Sequence, residues 1–121
     1  MKLKKVGFFC ELKHGDPSGP SLKNAVQSVA HYDKDCIVKY IRSSILIIGS
    51  PGVVRDVLDP AAPAIGASNI LTDGEWAWPE DLAHYVSKYN VDLPRDFIKT
   101  LQSRAYQPPS RNSFDLRQFQ L

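Results

Sequence analysis

The sequence predicts an α+β fold: a small, mainly antiparallel sheet packed with about four helices in a single domain. Three observations carry that expectation. Short apolar runs such as "ILII" at 45–48 have the length of strands. Apolar residues elsewhere recur at three- and four-residue steps, the repeat of a helix with one buried face. Asp73-Gly74 stands between "NIL" and "EWAW", a strong signal for a hairpin. The chain has 121 residues, 43% of them hydrophobic, enough to bury a core without staples.

Taken in order, residues 3–12 ("LKKVGFFCEL") alternate as a strand, with Val6, Phe8 and Cys10 on one face and Phe9 on the other. "KHGDPSGP" is a turn cluster. Pro20 opens an expected helix over 20–31, where Leu22, Ala25, Val26, Val29 and Ala30 form the stripe. A second helix is expected over 33–43, with Asp33 and Asp35 near the positive end of its dipole and Cys36, Ile37, Tyr40 and Ile41 inward. Residues 44–50 read as a buried strand. "VVRDVLD" is ambiguous between a helical turn and a strand, and "PAAPAIGAS" reads as a loop.

The hairpin spans 69–78. Asp73-Gly74 suits a type I′ turn at the surface, and alternation puts Trp76 and Trp78 on one face. Pro79 suits the first position of a helix over 79–89, with Glu80 and Asp81 in its first turn. Trp78, Leu82, Tyr85, Val86 and Tyr89 form its apolar stripe. The device repeats over 94–103, where Pro94 and Asp96 precede or join a stripe of Leu93, Phe97, Ile98 and Leu101. Residues 1–103 are expected to form the domain. Residues 104–121 are expected to be a tail docked on the domain or on a partner through Phe114, Leu116, Phe119 and Leu121.

Net charge is +2, too small to argue for nucleic acid. Its distribution is uneven. Arg55 stands against Asp56, Asp59, Asp73, Glu75, Glu80 and Asp81 within residues 54–81, while both ends of the chain are basic. The N-terminus lacks the long apolar stretch of a signal peptide, and no apolar run approaches the length of a membrane span. Cys10 and Cys36 fit no metal spacing or disulfide framework and are expected to be reduced, buried and inert in a cytoplasm. His14, His31 and His84 show no ligand spacing, so no metal and no cofactor are expected.

The four carboxylates of 73–81 could form an acid/base pair, but each has a local reason to be present: Asp73 in a turn, Glu80 and Asp81 at a helix start. No catalytic residue is assigned. "GSPG" lacks the pattern of a phosphate loop and reads as a turn. Two tryptophans on one strand are core by default. The sharper reading makes Trp76 an anchor for a partner, rimmed by carboxylates that steer a basic surface. The expected partner-binding set is therefore Asp56, Asp59, Asp73, Glu75, Trp76, Glu80 and Asp81. The expected structural set is Gly74, Trp78, Pro79, Leu82, Tyr85 and Tyr89.

The run Thr72-Asp73-Gly74-Glu75-Trp76-Ala77-Trp78-Pro79-Glu80-Asp81-Leu82, continuing through Tyr85-Val86, resembles a group of small bacterial proteins marked by a "TDG-x-W-x-WP-x-DL-x-x-YV" block. In that group a second helix opening with Leu-Pro follows, as at Leu93-Pro94 here, and Tyr40-Ile41 and "DVLDP" at 56–60 precede the block. The likeness covers roughly residues 36–101. Some such proteins resemble immunity proteins of contact-dependent or polymorphic toxin systems. The resemblance implies a cytoplasmic protein, not an enzyme, that neutralises a cognate protein toxin by direct contact. A basic nuclease would suit the acidic middle. No metal, nucleic acid or membrane is implied as partner, and a monomer or weak dimer is expected. Two alternatives stay open: a small enzyme or nucleotide-binding domain centred on the acidic hairpin, and a structural adaptor subunit.

Overall fold

The computed structural model describes residues 2–49 and 52–110. Ten elements run in the order β1 (Lys4–Lys5), α1 (Leu22–Ala25), α2 (Lys34–Ser43), β2 (Ile45–Ile48), β3 (Val53–Val54), β4 (Gly66–Ala67), β5 (Ile70–Thr72), β6 (Trp76–Pro79), α3 (Leu82–Tyr89) and α4 (Arg95–Ser103). Four strands form the main sheet in the order β1-β6-β5-β2, and β3 and β4 form a separate antiparallel ribbon. The β6–β5 and β5–β2 pairings are antiparallel; β1 joins β6 in parallel, Lys4 opposite Trp76. The architecture is the expected small α+β domain with a mainly antiparallel sheet.

The hairpin β5–β6 is the centre of the fold. Its side chains alternate as expected, and Trp76 and Trp78 both reach the core, flanking Phe97 of α4 at ring-centroid distances of 5.3 and 5.5 Å. Edge-to-face packing of this kind adds to the burial of the rings themselves. Trp78 is fully buried, and its indole N–H donates to the Ile41 carbonyl at 3.3 Å, tying the sheet to α2. Leu82, Tyr85 and Val86 of α3 complete the same cluster, with Tyr89 packed against it.

Helix α2 matches its expected span, with Asp33 accepting from the Cys36 amide as a cap. Helices α3 and α4 also stand close to expectation. Asn90 ends α3 in the left-handed region, φ 52°, and its N–H returns to the Val86 carbonyl.

Four expectations change. The helix expected over 20–31 is one turn, Leu22–Ala25, and Val26 and Val29 are exposed. Backbone groups at and after its end bond instead to the end of α3 and the residues that follow: Gln27 N–H to the Tyr89 carbonyl at 3.0 Å, and Asp92 N–H to the Ala25 carbonyl at 2.7 Å. The strand expected over 3–12 pairs only at Lys4–Lys5. Gly7 then turns the chain at φ +81°, where a Cβ would lie 2.9 Å from Leu82 Cδ1. Val6, Phe8 and Phe9 are all buried, so the expected alternation fails.

Pro79 does not start a helix. It ends β6 opposite Ile70, and the Glu80 amide extends the hairpin by donating to Asn69 O at 2.8 Å, so α3 begins at Leu82. Glu80 therefore precedes the helix and Asp81 takes the N-cap position. Finally, the loop expected around 60–68 contains β4, which resolves the ambiguous Val53–Val54 as its strand partner.

Described residues after α4 contact the domain. Arg104 reaches back to the β5–β6 turn, and Tyr106 packs on the core. Phe114, Leu116, Phe119 and Leu121 lie outside the described residues.

Candidate functional site

The six carboxylates of the acidic middle divide by burial. Asp56, Asp73 and Asp81 are 1%, 0% and 5% exposed, and each is bonded inside the fold. Asp59, Glu75 and Glu80 are partly exposed. The expectation that all six rim a docking face is thus corrected for the first three. Trp76, at 6% exposure, is a core residue rather than an anchor for a partner.

Asp73 is the most heavily used. Its Oδ1 accepts from the Glu75 and Trp76 amides at 2.9 and 2.7 Å. Its Oδ2 accepts from the Tyr40 hydroxyl at 2.7 Å and lies 3.3 Å from Arg104 Nη1. The same guanidinium nitrogen donates to the Asp73 carbonyl at 2.9 Å and to Tyr40 Oη at 3.0 Å. Gly74 takes φ +93° while Asp73 stays at negative φ, so the loop is not the type I′ turn expected. The Asp73 side chain replaces that turn by holding the loop amides itself. Thr72 Oγ1 supports it, accepting from Gly74 N–H and donating to the Trp76 carbonyl. Burial raises the Tyr40 phenol far above its ordinary pKa, and the Asp73 carboxylate adds to the effect.

Asp56 gathers a second set. Its Oδ1 accepts from the Leu58 amide at 2.8 Å; its Oδ2 meets His84 Nε2 at 2.8 Å, the Tyr89 hydroxyl at 2.6 Å and Lys88 Nζ at 3.5 Å. Burial alone would raise its pKa. The hydrogen bonds from His84, Tyr89 and Leu58 N–H outweigh burial and lower it to about 2. Tyr85 brackets the same loop, its hydroxyl accepting from the Val57 amide at 3.1 Å. The 56–59 turn is thereby fastened to α3, and Lys88 also meets Asp59 at 3.4 Å.

Asp81 pairs with His14 across 67 positions, with Nε2 3.0 Å from Oδ2 and 3.2 Å from Oδ1. That hydrogen bond raises the His14 pKa against the opposing effect of burial. Asp81 also accepts the His84 and Tyr85 amides on its backbone carbonyl. The pair holds the turn after Phe9 against the start of α3.

Chemically, His84–Asp56 and His14–Asp81 are each an imidazole oriented by a carboxylate, which is the base and orienter of an acid/base device. Among the described residues no hydrogen bond joins either imidazole to a Ser, Thr or Cys. No group of three or more His, Cys, Asp or Glu is placed to hold a metal among those residues.

The remaining carboxylates are lightly engaged. Glu75 meets Lys4 at 3.6 Å and accepts from Trp76 Nε1 and Thr100 Oγ1. Glu80 accepts from Asn69 Nδ2 at 3.0 Å.

Several features had no local signal. Glu11 accepts from the Leu22 and Lys23 amides at 2.6 and 2.9 Å and from Ser21 Oγ, capping α1 from a distant turn. Burial opposes its charge, but these donors win and lower its pKa to about 2. The thiols differ from expectation: Cys10 is exposed and Cys36 half-buried. Glu11 beside Cys10, and Asp33 beside Cys36, raise both thiol pKa values by hydrogen bonding, which disfavours the thiolate.

Exposed apolar side chains form the other outward feature. Leu46 and Ile48 lie on β2, an edge of the main sheet; Val53 on the ribbon is 67% exposed and Val57 follows it. Among the described residues no helix is long and apolar enough to cross a membrane. Comparison with known proteins gives no match to a family model, a curated protein or a solved structure.

Proposed function

We propose that this chain is a binding protein of the immunity type, which neutralises a cognate protein toxin in the cytoplasm by direct contact. The observation that carries this reading is the clustering of outward apolar residues. Among the described residues, four of the six large exposed apolar side chains, Leu46, Ile48, Val53 and Val57, come from the neighbouring segments of β2 and the β3 ribbon. Single exposed apolar residues are ordinary; several from neighbouring segments support a contact surface. β2 adds a sheet edge, the kind of element that pairs with another chain.

The buried acids support the same reading from the other side. Asp56, Asp73 and Asp81 each have a structural use, so the acidic composition of 54–81 does not by itself argue for catalysis or for a basic partner. The TDG-x-W-x-WP block likewise has a structural rationale: Asp73 shapes the turn and the tryptophans pack the core.

The experiment is expression of the neighbouring gene with and without this one. Growth arrest relieved by this protein, together with a stable one-to-one complex, is expected. Survival that does not depend on this protein would overturn the reading. The two oriented imidazoles favour a small enzyme as the second reading. Loss of protection in a folded, complex-forming His84→Gln variant would support that alternative.

A further inference from the structure

We infer that the groove between the β3 ribbon and the Lys13–His14 turn receives an acidic, apolar-flanked extended segment of the partner polypeptide. The inference rests on the contact-inhibitor reading for the existence of a protein partner and adds the chemistry of what that partner presents.

The groove is open and holds about 510 Å³. Its lining includes Lys13 and His14 from the turn after Phe9, Val53, Arg55 and Val57 from the β3 segment, and Ser68. No acidic side chain lines it among the described residues. Lys13 and Arg55 are exposed, and neither has a carboxylate partner among those residues. By contrast Lys88 meets Asp56 and Asp59, and Lys4 meets Glu75, so those two bases are engaged within the fold. His14 gives Nε2 to Asp81, which sits behind it with its side chain 1% exposed. Its Nδ1 has no hydrogen bond among the described residues and, when the ring is protonated, can donate to a ligand carboxylate.

The groove therefore combines basic side chains with exposed valines. A free inorganic anion would use the bases and gain nothing from Val53 and Val57. An extended peptide uses both. Alternate residues of a strand lie about 6–7 Å apart on one side, so carboxylates on one face can meet the bases while apolar side chains on the other cover the valines. β3 is paired on one side only, by β4, which leaves a second edge for backbone bonding. The charge of this partner is the reverse of the one the acidic sequence segment suggests. The difference arises because three of those acids are folded inward, while Lys13 and Arg55 stay outside.

The test titrates the purified protein with the blocked peptide Ac-EVEVE-NH2, followed by amide NMR at low salt. Ac-KVKVK-NH2 and inorganic phosphate are run in parallel. Shifts should centre on His14, Val53, Arg55 and Val57 with the acidic peptide. The Lys13→Glu/Arg55→Glu variant should weaken binding by about tenfold or more, and added salt should do the same. Arg95→Glu/Lys99→Glu, on exposed positions of α4 that do not line the groove, should leave binding unchanged. Since Lys13 and Arg55 are exposed and have no carboxylate partner among the described residues, the fold should tolerate their reversal, as checked by the variant's amide spectrum. Equal binding of the basic peptide, or unchanged affinity after the Lys13/Arg55 reversal, would overturn the inference. Phosphate shifting the same amides while the acidic peptide is silent would also overturn it and leave a small-anion site. No toxin is needed here, so a failure is distinguishable from failed protection in cells.

Discussion

Tyr40 and Asp73, thirty-three positions apart, share a hydrogen bond of 2.7 Å with neither side chain reaching solvent. Arg104 joins both from the far end of α4. α2, the β5–β6 turn and the segment after α4 therefore meet at one carboxylate. Groups sharing a buried partner do not act independently. Tyr40→Phe should cost about 1–2 kcal/mol, and together with Arg104→Ala should show a coupling of about 0.5–3 kcal/mol in urea unfolding. Strict additivity of the two variants would show that Arg104 does not belong to the network.

Both tryptophans are buried. Trp78→Ala should destabilise by about 3–5 kcal/mol, because a fully buried ring and its bond to Ile41 are both lost. Trp76→Ala should fall close to it, since Trp76 touches the same Phe97. A Trp76 variant of unchanged stability, measured by denaturant midpoint, would return that residue to the surface.

Stability should form a plateau in pH with two distinct limbs. Asp56 is lowered from 3.8 to about 2 and Glu11 from 4.5 to about 2, so what they contribute is complete above their ordinary values and is lost as pH falls towards about 2. His14 is raised from 6.5, so its contribution is complete below that value and is lost as pH rises through the raised one. Asp56→Asn should flatten the acid limb, and His14→Gln the neutral limb, in urea midpoints taken across pH. An unchanged neutral limb in His14→Gln would sever the link to Asp81.

The thiols offer a chemical check. Cys10 is exposed, yet Glu11 raises its pKa, so alkylation near neutral pH should run several-fold slower than that of a free cysteine. Glu11→Gln should speed it. Alkylation as fast as free thiol in the wild type would mean that the Cys10–Glu11 contact is not kept in solution.

What the sequence made legible was what local periodicity governs. α2, α3 and α4 carry their stripes inside single segments, and the β5–β6 hairpin is marked by Asp73-Gly74. Leu22–Ala25 has the same kind of stripe, but the helix stops because Gln27 and Asp92 find backbone partners across the fold, which no local pattern records. Asp73 was recognisable as a turn residue; its burial was not, because Tyr40 and Arg104 reach it from distant positions. Asp56 and Asp81 were missed as interior groups for the same reason: His84 and His14 lie 28 and 67 positions away. The groove at Lys13 and Arg55 likewise joins segments that composition alone placed in different charge regions.

Within the acidic segment Asp56, Asp73 and Asp81 build the fold, and Asp59, Glu75 and Glu80 remain partly exposed. Urea unfolding of four single variants, Asp56→Ala, Asp73→Ala, Asp59→Lys and Glu80→Lys, separates the two groups. Asp56→Ala and Asp73→Ala should each lose about 3–5 kcal/mol, since their buried donors are left without a partner. Asp59→Lys and Glu80→Lys should stay within about 1 kcal/mol, as partly exposed sites do. Losses of the same small size in all four would contradict the account and return Asp56 and Asp73 to the surface.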